Sequence, residues 1–360
     1  MNIFIDIVVF ILTSYLSLTN TLADRISNFL PSTSEEESIE EPAEEMVELP
    51  SIFDSSIPDV LRRSLEYQSA ALGSATELTG STTKDPLEAL VNIFCTVKTE
   101  TSIRTTTGTG FFIDPDGVIM TNAHIAQFLL LENTDSFGDA ECIIRTGSPA
   151  SPEYTADLLY IPPAWIQENA SLINDAKPMG TGERDYALLY VSGGFNDEPL
   201  PAVFPALSFD SDLLPVSTKD NSVTAAGYPA RDLLEHGANS DLLARSALTS
   251  ISELYTFGSN YADVFSVRGS IVGAEGASGG PIVNEDGEVI GMIATRGNDE
   301  ADGEGSLRAI TLSHVERTIE EETGFSLQEN INGDLPYRAE IFAKTLTPFL
   351  VQLLEEGRTE

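Results

Sequence analysis

The chain beyond about residue 85 predicts an all-β fold, either a barrel or a sandwich. Short apolar runs recur there, and residues typical of turns separate them. Residues 110–113 and 118–121 flank the turn Asp114-Pro115-Asp116-Gly117, which is a strong hairpin signal. Many short strands with few helices are characteristic of barrels and sandwiches.

The other predicted strands share a short apolar run between turn signals. Residues 89–97 fit a strand or a short helix that leads into one. The remaining candidates are 141–145, 186–191, 222–226, 264–268, 281–283, 289–294 and 308–311.

Two helices are predicted near the end of the sequence. Ser313-His314-Val315-Glu316 has the pattern of a capping box and would open a helix that Gly324 ends. Residues 337–356 are amphipathic, with Pro348 as a kink or a start. We expect both helices to pack on the β-domain or on a partner.

The first 83 residues predict a targeting segment followed by a spacer. Residues 1–23 contain an apolar run, 7–18, that is too short for a comfortable membrane span of about 20 residues. That length and the small residues Thr21-Leu22-Ala23 favour a cleaved signal peptide, with an uncleaved anchor as the alternative. Two features do not fit a signal peptide: no Lys or Arg precedes the run, and Asp6 interrupts it. A signal peptide and an anchor both predict export to the periplasm, the cell surface or the medium.

Residues 24–83 are predicted to be an acidic, largely disordered spacer. Residues 31–49 carry eight glutamates and no basic residue, which favours disorder through self-repulsion. A short helix is predicted within 57–72.

Composition excludes some partners. The 57 Asp and Glu residues outnumber the 19 Lys and Arg residues and give a net charge of −38, which argues against binding nucleic acid or anionic lipid. Membrane contact is expected only through an uncleaved N-terminal segment. Cys95 and Cys142 could form one disulfide in an exported chain, and two separate buried thiols are the alternative.

The segment Gly276-Ala277-Ser278-Gly279-Gly280-Pro281 predicts a nucleophile loop. Glycines reach backbone conformations that side chains forbid, so N–H groups can converge beside the Ser278 hydroxyl. Acyl transfer needs that combination of a nucleophile and donors for the oxyanion. Alone, the pattern could also be a linker.

Three histidines are available as a base: His124, His236 and His314. His314 falls in the capping box and is predicted to be structural, and His236 lies in a polar loop. His124 directly follows residues 118–123, a predicted strand that runs into a short turn, and the end of a strand is a suitable place for a base.

Asp185 is the best candidate to orient His124. It opens the apolar run 186–191, where an aspartate is costly to bury without a partner. Asp139, Asp157 and Asp263 are weaker candidates because none opens so apolar a run.

Three blocks occur in the order His, Asp, Ser: Thr121-Asn122-Ala123-His124, Asp185-Tyr186-Ala187-Leu188-Leu189, and Gly276-Ala277-Ser278-Gly279-Gly280-Pro281. They resemble the signature blocks of trypsin-like serine peptidases of the chymotrypsin fold, and most of all the bacterial Do/HtrA-like branch. Ala226-Gly227-Tyr228-Pro229 is also similar to a segment of that branch. The similarity covers about residues 88–320.

The resemblance implies two six-stranded antiparallel β-barrels with C-terminal helices. It places a peptidase domain at 84–325 and a helical extension at 326–360. His124 and Asp185 would come from the first barrel and Ser278 from the second, with the oxyanion held by the backbone N–H groups of Gly276 and Ser278. The implied activity is hydrolysis of protein or peptide substrates by a serine endopeptidase without metal or cofactor; the oligomeric state stays open.

The resemblance also implies a substrate pocket near Val272, Ile293, Ala294 and Thr295. Val272 lies near the base, where relatives specific for basic residues have an aspartate, so small or aliphatic side chains are favoured. Glu275 and Arg296 lie close enough to keep that preference open.

Three departures from the family pattern matter. Ala277 precedes the serine where members activated by N-terminal cleavage have an aspartate, so no such switch is expected. Residues 146–183, which include Trp165, are longer than the compact pattern and predict a surface loop or lid. The roughly 36 residues after Gly324 are too few for a PDZ domain.

Two further classes of function fit parts of the sequence. A catalytically silent binding or scaffold module is the main alternative, but all three triad residues are present. Residues 276–280 also fit the bare Gly-x-Ser-x-Gly pattern of α/β-hydrolases. That fold requires the order Ser, Asp, His and a helix after the serine, whereas turns and strands are predicted here.

Overall fold

The computed structural model describes residues 82–358 apart from 133, 135, 176–181, 231–240 and 259. These residues all lie in the unit Ser56–Glu360. The predicted signal peptide or anchor (1–23), the spacer up to residue 81, its helix within 57–72, and His236 lie outside the described residues.

The first six strands close into one antiparallel barrel in the order β1-β2-β3-β6-β5-β4. The strands are β1 (Leu90–Lys98), β2 (Ile103–Asp114), β3 (Val118–Thr121), β4 (Asp139–Thr146), β5 (Ser151–Tyr160) and β6 (Ala187–Gly194). The predicted hairpin joins β2 and β3, and Gly117 in its turn has a φ of +94°.

The next six strands close into a second antiparallel barrel in the order β10-β11-β12-β9-β8-β7. They are β7 (Ser222–Gly227), β8 (Arg245–Tyr255), β9 (Val264–Val267), β10 (Pro281–Val283), β11 (Val289–Arg296) and β12 (Leu307–Thr311). The predicted fold, two six-stranded barrels with C-terminal helices, is therefore confirmed.

Eight α-helices lie among the described residues. They are α1 (Pro86–Ala89), α2 (Ala123–Ala126), α3 (Pro163–Asn169), α4 (Asp299–Asp302), α5 (Leu312–Thr323), α6 (Leu327–Asn330), α7 (Leu335–Thr345) and α8 (Thr347–Arg358). Helix α1 runs directly into β1, as residues 89–97 allowed. Pro348 lies in the first turn of α8, where its missing N–H costs nothing.

The predicted capping box at Ser313 and Glu316 is wrong. The N-cap of helix α5 lies two residues earlier, at Thr311, whose hydroxyl accepts from the backbone N–H of His314 at 3.0 Å. The C-terminal prediction holds, because Gly324 caps the helix in the left-handed conformation with a φ of +79°.

The prediction of a loop or lid over residues 146–183 is also wrong. Strand β5 and helix α3 occupy most of the described part of that segment. Trp165 is fully buried, in the same hydrophobic cluster as Phe342 of α7 and Leu350 of α8. The segment thus completes the first barrel and joins it to the C-terminal helices.

Cys95 of β1 and Cys142 of β4 lie directly opposite each other on neighbouring strands of the first barrel and form a disulfide. The alternative of two separate thiols is therefore excluded. Of the residues with described positions, none belongs to a helix with the length and apolarity needed to cross a bilayer.

Candidate active site

Strand pairing brings His124 and Asp185 together. Thr121, the last residue of β3, pairs with Ala187, the first residue of β6. His124 lies three residues beyond Thr121 on α2, and Asp185 lies two residues before Ala187. Because β3 and β6 are antiparallel, both side chains emerge at the same end of the pair.

His124 and Asp185 form two hydrogen bonds. The ring Nδ1 of His124 is 2.8 Å from Oδ2 of Asp185, and the backbone N–H of His124 donates to Oδ1 at 2.9 Å. Only 1% of His124 and none of Asp185 is exposed. A carboxylate that accepts at both oxygens fixes the imidazole's orientation and assigns the Nδ1 proton to this contact.

The segment around Asp185 is held from two sides. The side chain of Asn122 donates to the backbone carbonyl of Asp185 at 2.8 Å. On the other side, Arg184 pairs with Glu322 of α5 at 2.9 Å, and Thr318 of α5 donates to the Tyr186 hydroxyl at 3.0 Å. Helix α5 therefore supports the orientation of this aspartate.

The nucleophile loop, residues 276–281, ends at the first residue of β10 in the second barrel and contacts the first barrel. The backbone N–H of Thr109 in β2 donates to the Ser278 carbonyl at 2.7 Å. The Ser278 hydroxyl donates to the Ala294 carbonyl at 3.4 Å. Among the described residues, this is the only hydrogen bond of the Ser278 hydroxyl, and no hydrogen bond joins Ser278 to His124.

Backbone donors are available beside Ser278. Within the described structure, the N–H groups of Gly276 and Ser278 have no hydrogen-bond acceptor. Gly276 has a φ of +91°, and a Cβ there would lie 2.6 Å from the carbonyl oxygen of Tyr228. Glycine is needed at this position for both reasons. Such free donors suit an anionic oxygen.

Comparison with known families identifies this chain. A family model of the trypsin-like peptidase domain matches residues 108–292, which is just over half of the chain. The chain belongs to the trypsin-like peptidase family.

Two solved structures similar to this trypsin-like peptidase domain are those of Rv3671c from M. tuberculosis. The active form is 21% identical, with 68% of this chain and 90% of that chain covered, at a TM-score of 0.39. An inactive mutant form is 20% identical, with coverages of 66% and 88%, also at 0.39. At this distance the likeness adds nothing to the family assignment. A comparison with curated proteins found no match.

Around the predicted substrate pocket, the side chains divide between the core and the surface. Val272 and Ile293 are fully or almost fully buried in the core of the second barrel. Ala294 is also buried, whereas Thr295 is half-buried. Glu275 and Arg296 are exposed, and Arg296 lies 3.4 Å from Asp299.

A second pair of histidine and aspartate lies where helix α5 meets the second barrel. His314 Nδ1 is 3.2 Å from Oδ1 of Asp263, which also pairs with Arg317. Burial lowers the pKa of His314, although Asp263 opposes that effect. Asp263, one of the weaker candidates for orienting His124, is therefore engaged elsewhere.

Asp139 and Asp157, the remaining weaker candidates for orienting His124, lie on β4 and β5. Asp139 is exposed at the start of β4. Asp157 lies beside Glu132 and Glu141, in a groove on the first barrel. His236 is not among the described residues. The part of the chain with described coordinates contains no group of three or more His, Cys, Asp or Glu residues suited to a metal ion.

Proposed function

We propose that this chain is a serine endopeptidase that uses Ser278 as nucleophile, His124 as general base and Asp185 as the orienting carboxylate. One observation carries the proposal: the doubly hydrogen-bonded His124–Asp185 pair of the first barrel accompanies a serine loop with two free backbone donors. In a trypsin-like peptidase domain, this combination supports acyl transfer.

The mechanism follows from these groups. With its Nδ1 proton directed to Asp185, His124 accepts the Ser278 proton at Nε2 as Oγ attacks the substrate carbonyl. The N–H groups of Gly276 and Ser278 stabilise the oxyanion. His124 then protonates the leaving amine, and water attacks the acyl-enzyme by the same route. None of these steps calls for a metal ion or a cofactor.

To give its proton to His124, the Ser278 hydroxyl must release its hydrogen bond to the Ala294 carbonyl. Its bond to the Ala294 carbonyl, 3.4 Å, is long for a hydroxyl donor and costs little to release. Catalytic hydrogen bonds often tighten only when substrate binds. The absence of a Ser278–His124 bond in the free domain is therefore compatible with the proposed role.

We also propose a preference for small or aliphatic side chains at the residue before the cleaved bond. Val272 offers no carboxylate at the predicted base of the pocket, and it packs against other core side chains of the second barrel. Glu275 and Arg296 are exposed and would lie at the rim of this pocket, where they would act on more distant parts of the substrate.

Export to an oxidising compartment is part of the same proposal. It rests on the apolar N-terminal run and is supported by the Cys95–Cys142 disulfide, because such bonds persist mainly outside the cytosol. Recovery of the protein outside the cytosol, with the segment 1–23 removed, is the expected result of fractionation and N-terminal sequencing.

A peptide-library cleavage profile of the full chain tests the activity and its specificity. The wild type should cleave internal bonds after small or aliphatic residues, and Ser278→Ala should cleave none. Cleavage only after Lys or Arg would overturn the specificity. Cleavage by Ser278→Ala at the wild-type rate would overturn the mechanism.

A further inference from the structure

Thr109 joins the two barrels directly behind the nucleophile loop. It lies in β2 of the first barrel, and its side chain is fully buried. Its hydroxyl donates to the Gly276 carbonyl at 2.6 Å and accepts from the backbone N–H of Tyr228 at 2.9 Å. One hydroxyl therefore connects the nucleophile loop with the segment that follows β7.

The direction of each free N–H group in the nucleophile loop is set by the carbonyl group of the same peptide, which points the opposite way. In a trans peptide, the C=O and the following N–H lie on opposite sides of the chain. The Glu275 carbonyl accepts from Ala230 at 2.7 Å, and the Ala277 carbonyl accepts from Gly280 at 3.0 Å. These bonds turn the N–H groups of Gly276 and Ser278 away from the interior of the loop.

The peptide between Gly276 and Ala277 links those two donor-bearing peptides. Its N–H donates to the Ala274 carbonyl at 3.2 Å, and its carbonyl is the one that the Thr109 hydroxyl holds. Rotation of this central peptide would turn the peptides on both sides of it. Thr109 therefore holds the plane of the Gly276–Ala277 peptide, and the directions of the two neighbouring N–H groups depend on that plane.

The backbone of Thr109 fixes the same loop at a second position. Its N–H donates to the Ser278 carbonyl at 2.7 Å, and its carbonyl accepts from the Thr121 hydroxyl at 2.7 Å. Gly279 has a φ of +87°, and a Cβ there would lie 1.9 Å from the Thr109 carbonyl oxygen. The loop is thus pressed against β2, with no room for a side chain between them.

We propose that Thr109 is a positioning residue for the oxyanion site. Its hydroxyl fixes the Gly276–Ala277 peptide and thereby aims the N–H groups of Gly276 and Ser278 at the developing oxyanion. This inference rests on the proposed serine peptidase function. Replacement by valine keeps the shape of the side chain but leaves the Gly276 carbonyl and the Tyr228 N–H without their partner.

Kinetics of Thr109→Val in the full chain test this role. Loss of a whole oxyanion donor costs roughly 100- to 1,000-fold in kcat, so misdirected donors should lower kcat per active site by about 10- to 100-fold with KM nearly unchanged. The affinity for a peptide boronic acid, whose anionic adduct uses the same donors, should fall by the same factor. A folded Thr109→Val variant with wild-type kcat and boronate affinity would overturn the inference.

Thr109→Ser and Thr109→Ala form a matched pair that tests the role of the hydroxyl even if the valine variant does not fold. Both lack the methyl group, and only the serine keeps the hydroxyl. We expect the serine variant to retain kcat and boronate affinity and the alanine variant to lose both; equal loss in the two would assign the effect to packing and overturn the inference. A wild type without hydrolysis overturns the proposed function together with this inference, whereas an active wild type with unaffected Thr109 variants overturns this inference alone.

Discussion

At the scale of single residues, the two histidines with carboxylate partners differ in their surroundings. His124 pairs with an aspartate that accepts from its ring and from its backbone N–H. The His314 ring lies 5.2 Å from the Phe257 ring, and its Nε2 is buried without an acceptor in the described structure. Both oxygens of Asp185 accept from His124, whereas Asp263 is shared between His314 and Arg317, so of these two histidines His124 is the one suited to a general base.

Paired substitutions separate the two histidines. His124→Gln should lower kcat/KM by at least about 1,000-fold, because it removes the group proposed to take the Ser278 proton. His314→Gln should keep kcat/KM within about threefold and lower the free energy of unfolding by about 1–3 kcal/mol, since it disturbs a buried contact. Steady-state kinetics and urea unfolding of both variants provide the measurements.

The reverse pattern would contradict these roles. If His314→Gln abolished hydrolysis while remaining folded, or if His124→Gln remained active, the base would have to be sought elsewhere.

The residues of the site were predictable to different degrees. His124, Asp185 and Ser278 stand in local sequence patterns that indicate their chemistry without knowledge of the fold. Thr109 does not, because its role comes from contacts with Gly276 and Tyr228, which are more than 100 positions away. The pairing of His314 with Asp263 was hidden for the same reason.

At the scale of elements, the two strands that sequence analysis missed are β5 and β8. In β5, the apolar buried residues are Ala156 and the last three, Leu158, Leu159 and Tyr160, and most of the first half is exposed. In β8, Leu248 is 75% exposed, and polar residues dominate the rest of the strand. Hydrophobic periodicity cannot identify a strand whose outer face is largely solvated and whose inner face is short.

Glu132 lies between the 127–131 turn and β4 of the first barrel, and the ionisation of its carboxylate opposes folding. Glu132 accepts from the backbone N–H of Cys142 at 2.7 Å. Burial raises the pKa of Glu132 to about 7, and the neighbouring Asp157 and Glu141 add to that effect. The folded state therefore binds more protons than the unfolded state between the ordinary glutamate pKa and about 7.

Glu132→Gln should remove part of the pH dependence of stability. Because the folded pKa of Glu132 is raised, its ionisation lowers wild-type stability as pH rises towards and through about 7, by at most about 3 kcal/mol. Glutamine keeps the acceptor for Cys142 without the charge. Urea unfolding should give similar stabilities at pH 5 and a more stable variant at pH 8.

Glu168→Gln, an exposed substitution on α3, is the control for the loss of one negative charge. It should follow the wild type at both pH values. An identical pH dependence in the wild type and Glu132→Gln would show that Glu132 ionises normally in the folded state.

At the scale of the whole molecule, the candidate site is assembled from both barrels. The first barrel supplies His124 and Asp185 through the pairing of β3 with β6, and the second supplies the nucleophile loop ahead of β10. The hydrogen bonds of Thr109 and the support of α5 behind Asp185 connect the two contributions. Two stable barrels thus hold opposite halves of one candidate reaction centre.

The chain's acidity does not contradict that role. A net charge of −38 repels acidic partners and favours solubility, and it imposes no limit on neutral or basic peptide substrates. The sequence predicted this architecture through its family resemblance, whereas composition and periodicity alone reached only a barrel or a sandwich.

Labelling with a fluorophosphonate, followed by peptide mapping, tests the central claim most directly. The probe should form one covalent adduct on Ser278 in the wild type, because His124 activates that hydroxyl and the loop donors stabilise the adduct. Ser278→Ala and His124→Gln should remain unlabelled under the same conditions. Equal labelling of wild type and Ser278→Ala, or an adduct mapped to another residue, would contradict the assignment of Ser278 as the nucleophile.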